Sequence, residues 1–417
     1  MKRFKILIVL ICLVFIPVFF ANFELPTIPK AQAQAQTSNN NPPTVLALTR
    51  LGDPLPGLDS KIFGRFLSGK FEFERDHLVE EGLGPTFNDF SCAACHGFPV
   101  TGGAIDSIDD ITFRIGRMTR GKYNDLESVG GEPLSNKKTV PGCEPQNIPT
   151  KAQFVSPRAG QQLFGSGLID AITDATIVAN ADPDDRDKDG ISGRPNMVFS
   201  RRFKNIQVGK FGWKAHLPTL IDFTGDAYLV EIGISSPDFP HNRMPNGKKS
   251  VCDTARGPED FDGRVTQTFV DFMSLLAPAP QQALNDSASR GKAIFNSIGC
   301  VKCHIPTLRT ANLSERPDLI SHVLANQDAN LYSDLLLHDM GDELRDGIQT
   351  GIALGSEWRT QPLWGLSTKK FFLHDGRTTD LSKAVSAHGG EAAASRNKFL
   401  KLNSTAQKDL INFLKSL

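Results

Sequence analysis

The hydrophobic pattern divides the chain into three unequal parts. Ile6 to Phe20 is a nearly continuous apolar run behind Lys2, Arg3 and Lys5, with Ala31-Gln32-Ala33-Gln34-Ala35 downstream. A basic start, an apolar centre and small-residue cleavage options predict a secretory signal over residues 1–35. Pro17 interrupts the run, which is shorter than the ~20 residues a membrane span needs. An uncleaved anchor is the alternative. Residues from about Gln32 to Pro43 are rich in Gln, Asn, Ser and Pro with almost nothing to bury, and a linker is predicted over 36–50.

Beyond the linker, apolar positions come in short bursts. Thr112 to Arg120 alternates and predicts a strand. Arg290 to Phe295 predicts a short helix leading to Gly299. Ala406, Leu410, Ile411, Leu414 and Leu417 share one helical face, and Ser404 with Gln407 gives that helix a capping-box start. The Pro/Gln/Asn/Ser-rich stretch Ala279 to Ser287 marks a boundary between residues 51–280 and 281–417. No later stretch is long and apolar enough to span a bilayer. The expected product is a periplasmic or otherwise exported protein with no membrane span after signal removal.

Composition narrows the classes. Forty-six basic residues balance 46 acidic ones, and no long basic run exists, so no nucleic-acid partner is expected. Gly 36 and Pro 26 suit a loop-rich chain. Of seven cysteines, Cys12 lies in the leader and four form two motifs, Cys92-Ala93-Ala94-Cys95-His96 and Cys300-Val301-Lys302-Cys303-His304. That leaves Cys143 and Cys252, which either pair in an oxidising compartment or stay as buried thiols.

C-x-x-C-H is the c-type haem attachment pattern. Positions i, i+3 and i+4 of a helical turn share one face, so two thiols reach the haem vinyl groups while the imidazole reaches the iron. A redox disulfide or half a zinc site is the bland reading of one copy. Two copies in an exported chain favour two covalently bound haem c groups, held by Cys92, Cys95, Cys300 and Cys303 and ligated by His96 and His304. Arg114, Arg117 and Arg120 either meet haem propionates or form a solvated basic edge. Asp185, Asp187, Asp189 and Gly190 match the opening of a calcium loop, although the twelfth position is Asn196 rather than Glu. Calcium at the three aspartates is one expectation and an acidic surface turn is the other. Gly82-Leu83-Gly84-Pro85-Thr86-Phe87-Asn88 lacks the Lys-Ser/Thr of a phosphate-binding loop.

Several strings carry a resemblance. They are Gly82 to Asn88 before the first motif, Tyr332 to Gly341 (YSDLLLHDMG), Glu357 to Leu366 (EWRTQPLWGL) and Phe372 to Arg377 (FLHDGR). Together they resemble the di-haem oxidoreductases, a family labelled thiol oxidoreductase or peroxidase and related to the bacterial di-haem cytochrome c peroxidases. The resemblance runs over about Leu51 to Leu417. It implies a mainly α fold with long loops: two cytochrome-c-like haem domains, with minor β structure in the N-terminal part. The N-terminal haem domain would be 51–280, with insertions and the calcium loop, and the C-terminal one 281–417.

The resemblance also assigns roles. Relatives place the distal ligand of the C-terminal haem, usually Met, at the interval after FLHDG that here reaches His388. A bis-His iron (His304, His388) is saturated and of lower potential than a His/Met one. The N-terminal haem would then be the reactive one, with His77, His216, His241 and Met244 as distal candidates. Glu231 lies in a segment similar to the one carrying the relatives' acid/base, the group that moves a proton during peroxide cleavage. His374, Asp375 and His338 are expected to hydrogen-bond near the haem, and Trp213, Trp358 and Trp364 either pack or lie on an electron path. The implied activity is peroxidase-like, with peroxide or another small oxidant as substrate and a small redox protein or other electron donor as partner. The alternatives are a non-catalytic electron-transfer cytochrome and a haem-dependent oxidase of protein side chains or thiols.

Overall fold

The computed structural model describes residues 49–130, 138–241, 244–248 and 260–417. The expected signal and most of the linker lie outside the described residues, as does Cys252. Cys143 is disulfide-bonded.

Helices dominate. In chain order they are α1 (Ser60–Glu74), α2 (Ala93–His96), α3 (Ser166–Asp170), α4 (Asp174–Val178), α5 (Leu220–Ala227), α6 (Arg264–Leu275), α7 (Asp286–Ile298), α8 (Leu381–Ser386), α9 (Ala393–Leu400) and α10 (Ser404–Ser416). Two helix pairs carry the core, and they are built alike. α1 crosses α6 at Gly69, where an added Cβ would lie 2.4 Å from the Thr268 carbonyl oxygen and 2.7 Å from Phe272. α7 crosses α10 at Gly291, where it would lie 2.0 Å from the Asp409 carbonyl oxygen and 2.7 Å from Phe413. Each crossing buries a phenylalanine cluster: Phe66, Phe73 and Phe272 in the first, Phe295 and Phe413 in the second. Each is also pinned by an Arg–Asp fork, Arg65 to Asp271 (2.7 and 2.6 Å) and Arg290 to Asp409 (2.7 and 3.0 Å). One C-x-x-C-H motif follows the first helix of each pair.

α7 is longer than the pattern predicted because Asn285 caps it and Gly299, at φ +97°, ends it. α10 starts where expected, but its cap is Asn403, which accepts the Ala406 N–H; Gln407 instead donates to the Phe399 carbonyl. A short Asx side chain one residue upstream took the role assigned to Ser404.

The strands are short and antiparallel. They are β1 (Thr86–Phe87), β2 (Thr112–Thr119), β3 (Lys122–Asn124), β4 (Lys138–Thr139), β5 (Phe154–Arg158), β6 (Met197–Phe199), β7 (Ile206–Val208), β8 (Leu308–Arg309), β9 (Asp328–Ala329), β10 (Leu337–Asp339) and β11 (Glu357–Arg359). β3-β2-β5 forms a three-stranded sheet, and the rest pair in twos. The minor β structure expected in the N-terminal part is present, and it extends further: β8–β11 lie beyond residue 300, where loops meet in two-residue and three-residue ladders too short to register as alternation. The boundary expected near 280 falls in the extended segment between α6 and α7. The main core cluster draws on both sides of it, from Leu55 to Trp364.

Candidate functional site

Both C-x-x-C-H motifs fold as the spacing requires. The His96 N–H donates to the Cys92 carbonyl at 2.9 Å, and the His304 N–H donates to that of Cys300 at 3.0 Å, so each closes one helical turn. None of the four motif cysteines is disulfide-bonded. Burial pushes Cys92 and Cys300 up to about 12, so neither is a thiolate at neutral pH, as an attacking redox cysteine must be.

Each motif opens onto its own cavity. The first, of ≈ 180 Å³, is lined by Cys92, Cys95 and His96, with Phe73, Arg114, Arg158, His216, Tyr228 and Glu231. The second, of ≈ 220 Å³, is lined by Cys300, Cys303, His304 and His388 and by apolar walls that include Phe295, Leu366, Phe372, Leu381 and Leu414.

Two histidines are held as metal-ligand tautomers. Nδ1 of His304 donates to the Tyr332 carbonyl (2.9 Å) and Nδ1 of His388 to that of Ala384 (2.8 Å), so each Nε2 is the acceptor nitrogen, as iron ligation needs. His96 has Nδ1 3.2 Å from the Gly103 carbonyl and also bonds to the Gln161 backbone. Burial depresses the pKa of all three, His304 to about 4, so they are neutral at pH 7. His388 sits on the turn after α8 and lines the same cavity as His304, near enough for their charges to interact. Arg359 and Lys369 also face this cavity, and burial pushes them down to about 9 and 8. Arg359 bonds only to the Lys210 carbonyl and the Gln361 amide oxygen, and its Nε is buried without a partner. The buried Arg359 and half-buried Lys369, neither paired with a carboxylate among the described residues, beside an apolar slot with two neutral imidazoles, fit a haem with its propionates.

The first cavity has a different chemistry. Strand pairing builds one wall: Thr112 faces Arg158 and Arg114 faces Ser156 across β2 and β5, so one face of the sheet carries both arginines into the cavity. Arg117 falls on the alternate face and Arg120 beyond the strand, so neither reaches the cavity and the three-arginine expectation reduces to Arg114. Arg158 is paired with Asp346. Glu231 lies in a π-helical turn, Tyr228–Ile232, that continues α5. The string Gly82 to Asn88 holds that turn: the Asn88 N–H donates to the Glu231 carbonyl (2.7 Å), the Asn88 amide donates to the Glu231 carboxylate, and the Gly84 N–H donates to Ile232.

Of the four distal candidates, His216 alone lines the first cavity. Burial and the charges of Arg114, Arg158, Arg359 and Lys214 push it down to about 3, leaving a neutral imidazole. His77 is buried behind Tyr228 and Phe269 (ring centroids 5.4 and 5.9 Å), while His241 and Met244 are exposed.

Trp213 lines both cavities, its indole N–H donating to the Ala159 carbonyl at 2.9 Å. Trp358 lines only the second; His374 stacks on it (3.9 Å, 17°), and Lys214 and Arg158 stand 4.0 and 4.7 Å from its ring. Trp364 belongs to the main core. His338 lines the second cavity with both nitrogens engaged, Nδ1 to Glu391 at 2.7 Å and Nε2 to Asp334 at 2.9 Å, and it lies 3.7 Å from the Cys303 sulfur. Asn88, Arg158 and Asp334 were missed in the sequence because their roles depend on pairing across distant segments.

Asp185, Asp187 and Asp189 do converge, with carboxylate oxygens within 4.8 Å of one another. The loop satisfies much of their capacity internally. Gly190, Asp189 and Ile191 donate backbone N–H groups to them, and Lys302 of the second motif pairs with Asp189 at 2.7 Å. Asn196 is turned away, donating to the Lys214 and Thr350 carbonyls.

Two C-x-x-C-H motifs, each opening onto its own cavity, are the features of a di-haem redox protein. The chain belongs to the di-haem oxidoreductase family: the family described as "Di-haem oxidoreductase, putative peroxidase" matches residues 145–417. Among solved structures, a Kuenenia stuttgartiensis hydrazine synthase pressurised with xenon is 14% identical with a TM-score of 0.39, and 94% of this chain and 100% of that one are covered. A MauG-like protein associated with microbial copper homeostasis is 14% identical at a TM-score of 0.40, covering 92% and 95%. At these scores neither structure bears on function. No curated protein matches the chain.

Proposed function

We propose that this chain is an exported di-haem peroxidase-like oxidoreductase in which the C-terminal haem handles electrons and the N-terminal haem meets the oxidant. The observation that carries this reading is the asymmetry of the cavities. The second cavity is lined by the neutral His304 and His388 and, among the described residues, by no acid; the first sets His96 and His216 beside carboxylates, Glu231 among them. The two halves would be cytochrome-c-like, each crossing helix pair enclosing one haem joined to its cysteine pair by thioethers. Bound there, the haems supply electron transfer and an iron site for an oxygen ligand.

The side chains do the rest. His304 and His388 would together hold the second haem, leaving it to supply electron transfer. His96 would hold the first. Glu231, fixed by Asn88, moves a proton between the two oxygens of a bound peroxide. Arg359 and Lys369 neutralise propionates. Trp213, common to both cavities, carries electrons between them. The electron donor would be a small redox protein or another external reductant.

Peroxide turnover by Glu231→Gln tests the assignment. Loss of about 10²- to 10⁴-fold with unchanged haem spectra is expected for a general acid/base. Unchanged turnover removes Glu231 from the mechanism. The presence of His216 favours a second reading, a carrier with both irons saturated. Two low-spin six-coordinate haems that persist on reduction and ignore peroxide would establish that carrier instead.

A further inference from the structure

The hairpin formed by β6 and β7 departs from the usual rule for a two-stranded ribbon on a protein surface, whose outer face is normally polar. Phe199 and Ile206 are directly opposed across the pair and are 54% and 58% exposed, with Met197 beside them at 41%. The connecting turn, Ser200 to Asn205, adds Phe203 at 49% exposure between Arg201, Arg202 and Lys204.

The turn is rigid. Asp222, buried at the start of α5, accepts the Ser200 hydroxyl (2.7 Å) and the backbone N–H groups of Arg201 (2.7 Å) and Arg202 (3.1 Å). Ser200 in turn accepts the Phe203 N–H at 3.0 Å. With the backbone fixed this way, the three aromatic and aliphatic side chains are held outward instead of folding onto the surface. Arg201 lies over the Phe239 ring (4.9 Å) and Arg202 is half exposed 3.4 Å from Asp238. Among the described residues Lys204 makes no ion pair. Three cations against two carboxylates, the partly buried Asp238 and the buried Asp222, leave the tip net positive.

We infer that this tip docks on an anionic lipid surface, with Phe199, Phe203 and Ile206 in the headgroup boundary and the cations against lipid phosphates. Charge complementarity selects the anionic partner, and area selects lipid over protein. The exposed parts of Phe199 and Phe203 amount to roughly 200 Å² at 150–250 Å² per aromatic. A stable protein interface needs about 800 Å² on each side. A protruding, charged tip of a few residues cannot supply that, whereas an interface only 5–10 Å deep can take it whole. The contact is peripheral; no helix among the described residues is long and apolar enough to cross a membrane.

Trypsin reports directly on the tip of the full chain, since Arg201, Arg202 and Lys204 are its cleavage sites. Mixed phosphatidylcholine–phosphatidylglycerol vesicles are expected to slow cleavage there about tenfold, and phosphatidylcholine alone to leave it unchanged. The partition of the double variant Phe203→Ser/Lys204→Gln onto the mixed vesicles should fall about twentyfold. Roughly fivefold comes from one cation at an anionic surface and a similar factor from the half-exposed ring. Unaltered circular dichroism and haem absorbance show that the variant is folded. Equal cleavage with and without mixed vesicles overturns the inference. So does an equal loss of partition in Phe71→Ser, an exposed aromatic on α1, or protection by polyglutamate in place of vesicles.

Discussion

His338 is the residue whose electrostatics are most exposed to test. Burial opposes its charged form, but the bonds to Asp334, Cys303 and Glu391 outweigh that and hold it up at about 12. In the unfolded chain a histidine titrates near 6.5. Below 6.5 both states carry the proton and the clamp contributes in full. From there upward unfolding releases a proton, and the contribution shrinks until pH passes about 12. Replacing His338 by Gln leaves two buried carboxylates short of a cation, a change that costs about 3–5 kcal/mol for a buried pair. The stability gap between wild type and His338→Gln, read from urea unfolding, should therefore be widest near pH 6 and narrow steadily toward pH 10. A gap that stays flat or widens with pH contradicts the clamp. His388 gives a second residue-scale prediction: His388→Met should raise the potential of the C-terminal haem, within the roughly 0.8 V range that axial ligands span. Redox titration of the two haems reads this separately from activity.

At the scale of elements, the two glycine crossings reverse an ordinary rule. Alanine in place of glycine inside a helix normally gains up to ~1 kcal/mol. At Gly69 and Gly291 the added carbon would overlap a carbonyl of the facing helix, so both Gly→Ala changes should destabilise by about 1–3 kcal/mol through overpacking. Thermal unfolding with a stabilising result at either site would mean that the helices do not cross there. Asn403→Ala should cost about 1 kcal/mol as a lost N-cap, and Ser404→Ala much less. The sequence carried the periodic face of α10, since that depends on the helix alone. It did not carry the cap, because Ser404 and Asn403 are equally good capping residues and only the backbone turn chooses between them. The same limit explains the sites. The one-turn geometry of Cys92 to His96 and Cys300 to His304 was legible because it is local, whereas Arg158 reaches its cavity only through the register of β2 against β5.

Over the whole molecule, the proposed passage of electrons between the two cavities through Trp213 has a physical cause in the charges around the tryptophans. Trp213 borders both; Trp358 borders one and carries Lys214 and Arg158 at 4.0 and 4.7 Å from its ring. Burial lowers Lys214 only to about 8, so it keeps its proton at neutral pH. A unit charge 4 Å away is worth about 4 kcal/mol at an effective dielectric near 20, and Asp346, which pairs with both cations, offsets part of it. Taking an electron from Trp358 is thereby penalised, while no cation stacks on Trp213 among the described residues. The two tryptophans therefore should not be interchangeable. Trp213→Phe is expected to slow electron transfer between the haems more than about tenfold, since roughly 1.4 kcal/mol of added barrier suffices, with both haem potentials unmoved. Trp358→Phe is expected to leave the rate near wild type and to shift the C-terminal haem's environment through His374. Rapid-mixing reduction followed at the two haem bands separates these outcomes, and equal slowing by both variants would mean that electrons take a route through Trp358 despite its cations.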